Sequence, residues 1–353
     1  MLQIVKKDHL SDDDILKWNQ LWSNEETASI WNSYNWYSAC KQTVFPGIEV
    51  WYVYQADELV AIIPLEQKKF RFVTCLTTFG QPYTDKSTIL IKKDYLKQVP
   101  YIIENLGVKI PVVLNEIEHS QCSEYLSDVL HEVSNECPYI DLKQDIIEQV
   151  KRSQWNRINN KAKICTYKFE VHQGEAAQNY INKIWEIEEI SNKEELGRIV
   201  FVNDKIKDLY RKMSLSPETM ITLLLDNDKV IACTLGFFIK GNSYLMHNWG
   251  YDIDYKKETP GKMIFLFNLR FLLSHNCIKF DFSRGVSLTK KYFSIYSENN
   301  YTLFLNLKGI NKIWFKLMII LRRYHHNTNE NESFLHKQLF KIWSHITKKR
   351  SFG

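Results

Sequence analysis

The stretch from Ile221 to Phe293 limits the possible folds more than any other part of the chain. Ile221–Leu225, Lys229–Ile239 and Ser243–Tyr251 read as strands, Lys262–Ser274 as an apolar helix, and Ile278–Phe282 as one more strand. Glu258-Thr259-Pro260-Gly261-Lys262 joins the strands to the helix. Proline suits the first turn of a helix, and glycine lets a backbone come close to a ligand. A helix starting there points unpaired N–H groups past its own end, which makes an anion site. The next strand runs into Asp281-Phe282-Ser283-Arg284-Gly285, setting an acid and a base at one edge.

Around this segment the chain reads as a soluble α/β (α+β) protein of two halves. Its 353 residues leave room for two domains of ordinary size. Ser11-Asp12-Asp13-Asp14 predicts a capped first helix, and Trp36–Thr43 a second. Ile48–Gln55 and Glu58–Gln67 form a hairpin around Ala56-Asp57, which Phe70–Phe79 extends. Further strands are expected at Ser87–Ile91, Ile110–Ile117 and Tyr139–Leu142, and helices at Lys93–Leu106 and Ser123–Glu132. The second half repeats this order weakly. A basic helix at Ile146–Ala162 is followed by a strand at Tyr167–His172, then helices at Ala176–Ile190 and Lys205–Ser214. The expected division is 1–145, 146–325 and a basic helical tail, 326–353.

Net charge is +5, which suits an anionic small substrate and is too weak to argue for nucleic acid. Seven cysteines without a CxxC pair read as reduced thiols, and no metal site is indicated. The first residues, Met1 to Lys7, lack the apolar run of a signal peptide, and Ile310–Leu321 is too short to span a bilayer. The expectation is a cytoplasmic protein without stable membrane insertion.

Val230-Ile231-Ala232, Tyr244 to Asp252, Pro260-Gly261 and the Asp281–Gly285 run with Lys290 together resemble the tandem-GNAT acyltransferases. Within them the chain is similar to the cellulose-biosynthesis (CelD/BcsL) and FemAB-like branch. Glu188-x-x-Ser191-x-Lys193 and the basic Lys151–Lys163 segment add to the likeness, while Asn192 and Thr289 depart from it. The resemblance covers Gln149 to Tyr296 well. It reaches the first half only through Ala61–Leu65 and Tyr83-Thr84-Asp85. It implies two GNAT-like domains, each a mixed sheet flanked by helices, with acyl-CoA bound in the second. Among relatives, the size resembles FdhC-type enzymes, which place an acyl group (3-hydroxybutyryl or acetyl) on the amine of a dTDP-linked 3-amino-3,6-dideoxyhexose for a surface polysaccharide. Two other readings stay open: a FemX-like transferase with aminoacyl-tRNA as donor, and a non-catalytic CoA-binding scaffold.

Amide formation from a thioester needs a neutral amine, a held carbonyl and stabilisation of the oxyanion. An amine of pKa roughly 8 is partly neutral near pH 7, so a strong base is optional. Orientation of two bound reactants supplies about 7 kcal/mol or more in good cases, and backbone N–H donors roughly 3 more. In the GNAT-like reading Ser243–Tyr251 splays from Ile278–Phe282 and the pantetheine lies in the gap. Thr259, Pro260, Gly261 and Lys262, with Trp249 and Gly250, would then bind the cofactor. Asp281 would orient or deprotonate the amine, with Lys290, His247 and Asn248 as the other catalytic candidates. Tyr83, Asp85, Arg157, Lys161 and Arg284 are the substrate-binding candidates. Each also has an ordinary structural reading. His247 can be a packed strand histidine, Trp249 core, Asp85 a turn residue, and the basic helix a solvated face.

Overall fold

Ser11 opens the first helix, Asp12–Asn24, with a reciprocal cap: its hydroxyl accepts from the Asp14 N–H while Asp14 accepts from the Ser11 N–H. In the computed structural model, residues 2–25, 28–143, 145, 152–191, 203–239, 242–294 and 296–327 are described. Two compact units result, Met1–Asn306 and Leu307–Gly353; the described part of the second is a helix, Ile310–Asn327. The expected tail lies outside the described residues from 328 onward.

The first unit is built on one mixed sheet of 13 strands. They are β1 (Leu2–Lys7), β2 (Ile48–Gln55), β3 (Glu58–Phe70), β4 (Val73–Thr78), β5 (Leu90–Ile91), β6 (Val112–Glu118) and β7 (Leu130–Asp141). There follow β8 (Lys168–Gln173), β9 (Thr219–Asp226), β10 (Lys229–Ile239), β11 (Ser243–Tyr251), β12 (Lys279–Asp281) and β13 (Tyr296–Leu305). The order is β1-β2-β3-β4-β6-β13-β7-β12-β11-β10-β9-β8, with β5 on β3. Each half thus contributes four antiparallel strands and then one parallel neighbour, β6 beside β4 and β12 beside β11. The last strands are exchanged. β7, from the first half, pairs with β12, while β13, from the second, lies between β6 and β7. We propose that 1–145 and 146–325 are the two repeats, joined by this exchange.

Alternation on β9 and β10 sorts the second half into two cores. Met220, Leu224 and Ala232 pack with Tyr244, Met246 and the helix Pro260–Ser274 through Ile264, Phe265 and Leu269. Ile221, Leu223, Cys233 and Leu235 pack on the opposite face against Ile184 and Ile187 of the helix Ile181–Ile190 and Tyr210 of the helix Asp204–Met213. A third core joins the halves: Trp18, Trp31, Trp36 and Tyr37 meet Leu209, Phe237 and Leu245.

Several expectations need correction. No helix runs over Ser123–Glu132; a short turn at Leu126–Asp128 leads into β7, twelve residues long. Its alternation is masked because Glu132 is buried and paired with Arg71. Lys93–Leu106 divides into a 3-10 turn, Lys93–Gln98, and a helix, Val99–Glu104. Ser87–Ile91 keeps only Leu90–Ile91 as strand. The basic helix is described from Arg152 to Ile164, and its expected start lies outside the described residues. β1 and β13 carry no counterpart in the sequence reading.

Gly236 sits where β10 faces the tightest part of β11. An added Cβ would lie 2.2 Å from the Tyr244 hydroxyl oxygen and 2.5 Å from the Leu245 carbonyl oxygen. Gly236→Ala is expected to cost about 1–3 kcal/mol in urea unfolding. Gly47→Ala, where nothing lies within 4 Å, should change stability little. Equal effects would show that the close approach is not what selects glycine.

Candidate active site at a parted strand pair

β11 carries the site because its two edges are broken at neighbouring places. On the β10 side, Leu235 faces Asn248 and Gly236 faces Met246, so His247 is the extra residue of a β-bulge. The bulge places His247 and Asn248 on one face, while Met246 and Trp249 both turn to the Pro260–Ser274 side. On the other side β12 pairs only with Ser243, Tyr244 and Leu245. Beyond Asp281 the chain stays with β7: Phe282 N–H donates to the Pro138 carbonyl at 2.9 Å and Gly285 N–H to the Glu136 carbonyl at 2.9 Å. Ser283 takes φ +63° at this departure. Among the described residues no strand covers Met246–Tyr251 on that side. The expected parting of the two strands is present.

A polar chain crosses from one half to the other at the bulge. His247 Nδ1 is hydrogen-bonded to Asp85 Oδ2, and Nε2 to the Tyr210 hydroxyl at 2.5 Å. With Asp85 ionised, Nδ1 carries the proton and Nε2 accepts from Tyr210. Burial would push the Asp85 carboxyl up, but His247 and then Arg284 outweigh it and hold it below the usual carboxylate range. Burial, together with Asp85 and Glu188, pushes the Tyr210 hydroxyl well up, so it stays a proton donor. Trp31 closes the other side of the imidazole, ring centroids 5.2 Å apart. Next to it, Asn248 Nδ2 donates to Glu188 Oε1 at 2.9 Å and Asn248 Oδ1 accepts from the Trp249 N–H at 2.7 Å.

The Asp281 group forms a supporting layer. Asp281 is 1% exposed, pairs with Lys86 through Oδ2, and accepts the Ser283 N–H at 2.8 Å through Oδ1. Both oxygens are engaged, so its position favours holding the β12 turn over taking a proton from substrate. Lys86 also reaches Glu118 at 3.0 Å; burial opposes its charge, but the two carboxylates hold its pKa well above the usual lysine value. Lys290 donates to the carbonyls of Arg284 and Gly285 at 2.8 and 2.9 Å, and burial lowers its pKa against the pull of Asp85 and Asp281. Arg284 bonds Gln81 Oε1 at 3.3 Å, the Pro82 carbonyl, and Asp85 at 3.3 Å. Tyr83, in the same loop, packs on Phe45.

The other candidates gather where the Pro260–Ser274 helix begins. Thr259 adopts φ +58°, a strained left-handed conformation for a β-branched residue, and its Oγ1 is buried without a hydrogen-bond partner among the described residues. Lys161 donates to the Lys257 carbonyl at 2.7 Å. Burial lowers the Lys262 pKa, and the charge of Arg157 lowers it further. Gly261 has a packing reason of its own: a Cβ there would lie 2.8 Å from the Tyr251 ring and 3.0 Å from that of Trp249. Gly250 pairs with Cys233 in the ladder.

Residues 151–293 match the family model described as an acetyltransferase (GNAT) domain. The matched segment holds the whole of β11 and β12, the bulge, and the helix that begins at Pro260. Solved structures share the fold. FemX is 9% identical, with TM-score 0.61 over 89% of this chain and 99% of that one. L-PGS from Bacillus licheniformis is 13% identical, with TM-score 0.53 over 84% and 97%. A conserved protein of unknown function from Bacteroides thetaiotaomicron is 12% identical, with TM-score 0.53 over 86% and 100%. None of the curated proteins matches the sequence.

The structure thus brings Asp85, His247 and Arg284 into direct contact, stacks Asp281 and Lys290 behind them, and sets the cofactor candidates in a separate basic cluster. Tyr210, Lys86 and the site role of Glu188 escaped the sequence reading. Glu188 had a signal, its spacing to Ser191; Tyr210 and Lys86 had none. Asp85→Asn should lower stability by about 3 kcal/mol at pH 7, because it removes the charge facing His247 and Arg284. A depressed carboxyl contributes above the unfolded-state pKa, about 4, and its contribution is lost as pH falls through the folded value. The gap between wild type and variant in thermal melts should therefore narrow below about pH 4. A gap independent of pH would dismiss the ion pair as its source.

Proposed function

We propose that the protein is a GNAT-type N-acyltransferase that transfers an acyl group from a coenzyme A thioester to a primary amine at the parted edge of β11. The observation that carries this reading is the divergence of β12 from β11 beside the His247 bulge. An uncovered strand edge suits the amide groups of a pantetheine arm, which add to it as another strand would. The basic cluster fits phosphates: the strained Thr259 presents an unpaired buried hydroxyl at a helix N-terminus, with Lys262, Arg157 and Lys161 around it. Trp249 and Gly250 would line the arm. Bound there, the thioester supplies an activated carbonyl.

The residues of the chain supply orientation and proton handling. Backbone N–H groups of the uncovered β11 edge polarise the carbonyl. Tyr210 and His247 form a relay: a proton accepted at the Tyr210 oxygen releases the hydroxyl proton to His247 Nε2, and the Asp85 carboxylate stabilises the resulting imidazolium. Asn248, fixed by Glu188, holds the bulge in shape. Asp281, Lys86 and Lys290 hold the loop that carries Arg284. On the acceptor side, Arg284, Tyr83 and Asp85 face the region between the halves, where the amine of a nucleotide-linked amino sugar of the dTDP-3-amino-3,6-dideoxyhexose type would enter. The sugar rests on the resemblance alone. The aminoacyl-tRNA-dependent reading is kept second, favoured by the similarity to FemX over nearly the whole of both chains.

Calorimetry with coenzyme A tests the donor site directly. Arg157→Glu with Lys262→Glu is expected to weaken binding at least about tenfold, since two charge-assisted contacts are reversed; no binding by wild type would refute the proposal. With acetyl-CoA and a panel of amines, His247→Ala should lower kcat by about 10²–10⁴ with KM for the donor unchanged. Full turnover in that variant would remove His247 from the chemistry.

A further inference from the structure

The helix Ile310–Asn327 carries an apolar surface that the proposed reaction does not use. Ile310, Ile313, Leu317 and Ile320 recur at the spacing of one helix face and are 81%, 69%, 47% and 62% exposed. Phe315, Met318 and Ile319, elsewhere on the same helix, are buried, so the exposed row is additional apolar surface. Lys312 and Lys316, four residues apart and exposed, form a second row beside the apolar one. The helix also contains Arg322 and Arg323, and no Asp or Glu at all. No helix among the described residues is long and apolar enough to cross a membrane.

We propose that this face docks on an anionic lipid surface, lying in the headgroup plane. An apolar row flanked by cations is what such a surface selects: side chains such as Ile313 and Leu317 enter the acyl boundary while lysines meet the phosphates. Self-association fits less well, because two copies joined through this face would oppose lysine rows without a carboxylate on the helix to pair them. The lysines and arginines argue against an apolar crossing of the bilayer by this helix.

The test is co-sedimentation of the full chain with vesicles of phosphatidylcholine alone and of phosphatidylcholine mixed with phosphatidylglycerol. Binding should be at least about tenfold stronger to the anionic vesicles and fall with added salt. Ile313→Asp with Leu317→Asp should abolish it. Lys312→Glu with Lys316→Glu should remove the anionic preference, each reversed lysine costing about fivefold or more. The second pair leaves the apolar row intact and so stands even where the first perturbs folding. Both pairs should keep acyltransferase turnover on soluble substrates, which separates this inference from the proposed reaction. Absent or charge-independent vesicle binding by wild type overturns the proposal. So does a wild-type dimer that the Ile313→Asp pair dissociates without any vesicle binding, since the face would then be a contact between copies.

Discussion

The site depends on which neighbour the chain keeps after Asp281. Phe282 and Gly285 give their N–H groups to the Pro138 and Glu136 carbonyls of β7, and by keeping that partner the chain abandons β11. Buried backbone donors must be satisfied somewhere. Here the choice of acceptor opens a gap on one side of β11, while the extra residue His247 loosens the other side. A histidine held by Asp85 and Tyr210 and an uncovered hydrogen-bonding edge therefore arise together from two irregularities in one strand. The first half repeats part of this: β4 pairs with β6 only at Leu76 and Thr77.

The charges behind the gap are balanced in layers. Asp85 faces His247 and Arg284, Asp281 faces Lys86, and Lys86 is shared with Glu118. Each ion would be costly alone at this depth, and each is met by an opposite charge or by carbonyl dipoles, as Lys290 is. Such compensation fixes geometry more than it adds stability. It accounts for Asp281, an acid at the end of a strand, being held by Lys86 and the Ser283 N–H, while Asp85 faces His247 and Arg284. The neighbours of Asp85 reach further: its carbonyl accepts from Asn300 on β13, which also donates to Glu116 on β6.

Much of the second half was legible because it obeys local rules. β10 and β11 fall on the expected residues, and the Pro260 helix starts two residues earlier than read, at the proline itself. The strands that were missed or mistaken are those whose neighbours come from far along the chain. β7 and β13 carry Glu132, Asn135 and Asn300 inward because distant partners, Arg71 and Glu116, wait for them there. No local periodicity reveals partners 19, 61 or 184 residues away. The same holds for the site: Asp85, His247 and Arg284 were each readable as candidates, but Tyr210 and Lys86 gain meaning only from what the fold places opposite them. Gly261 was readable as special; its reason, two aromatic rings against its backbone, was not.

The exchanged strands also bear on how this chain can be made. When synthesis has passed Asp141, β7 exists but neither of its partners does, and β6 shows a bare edge until Tyr296–Leu305 is available. The first half cannot finish itself during translation. It must wait with unpaired ladder groups while more than a hundred further residues leave the ribosome, a period in which edge protection falls to chaperones or to transient contacts. Completion of the sheet then waits on the arrival of one late segment, on which strands of both halves depend.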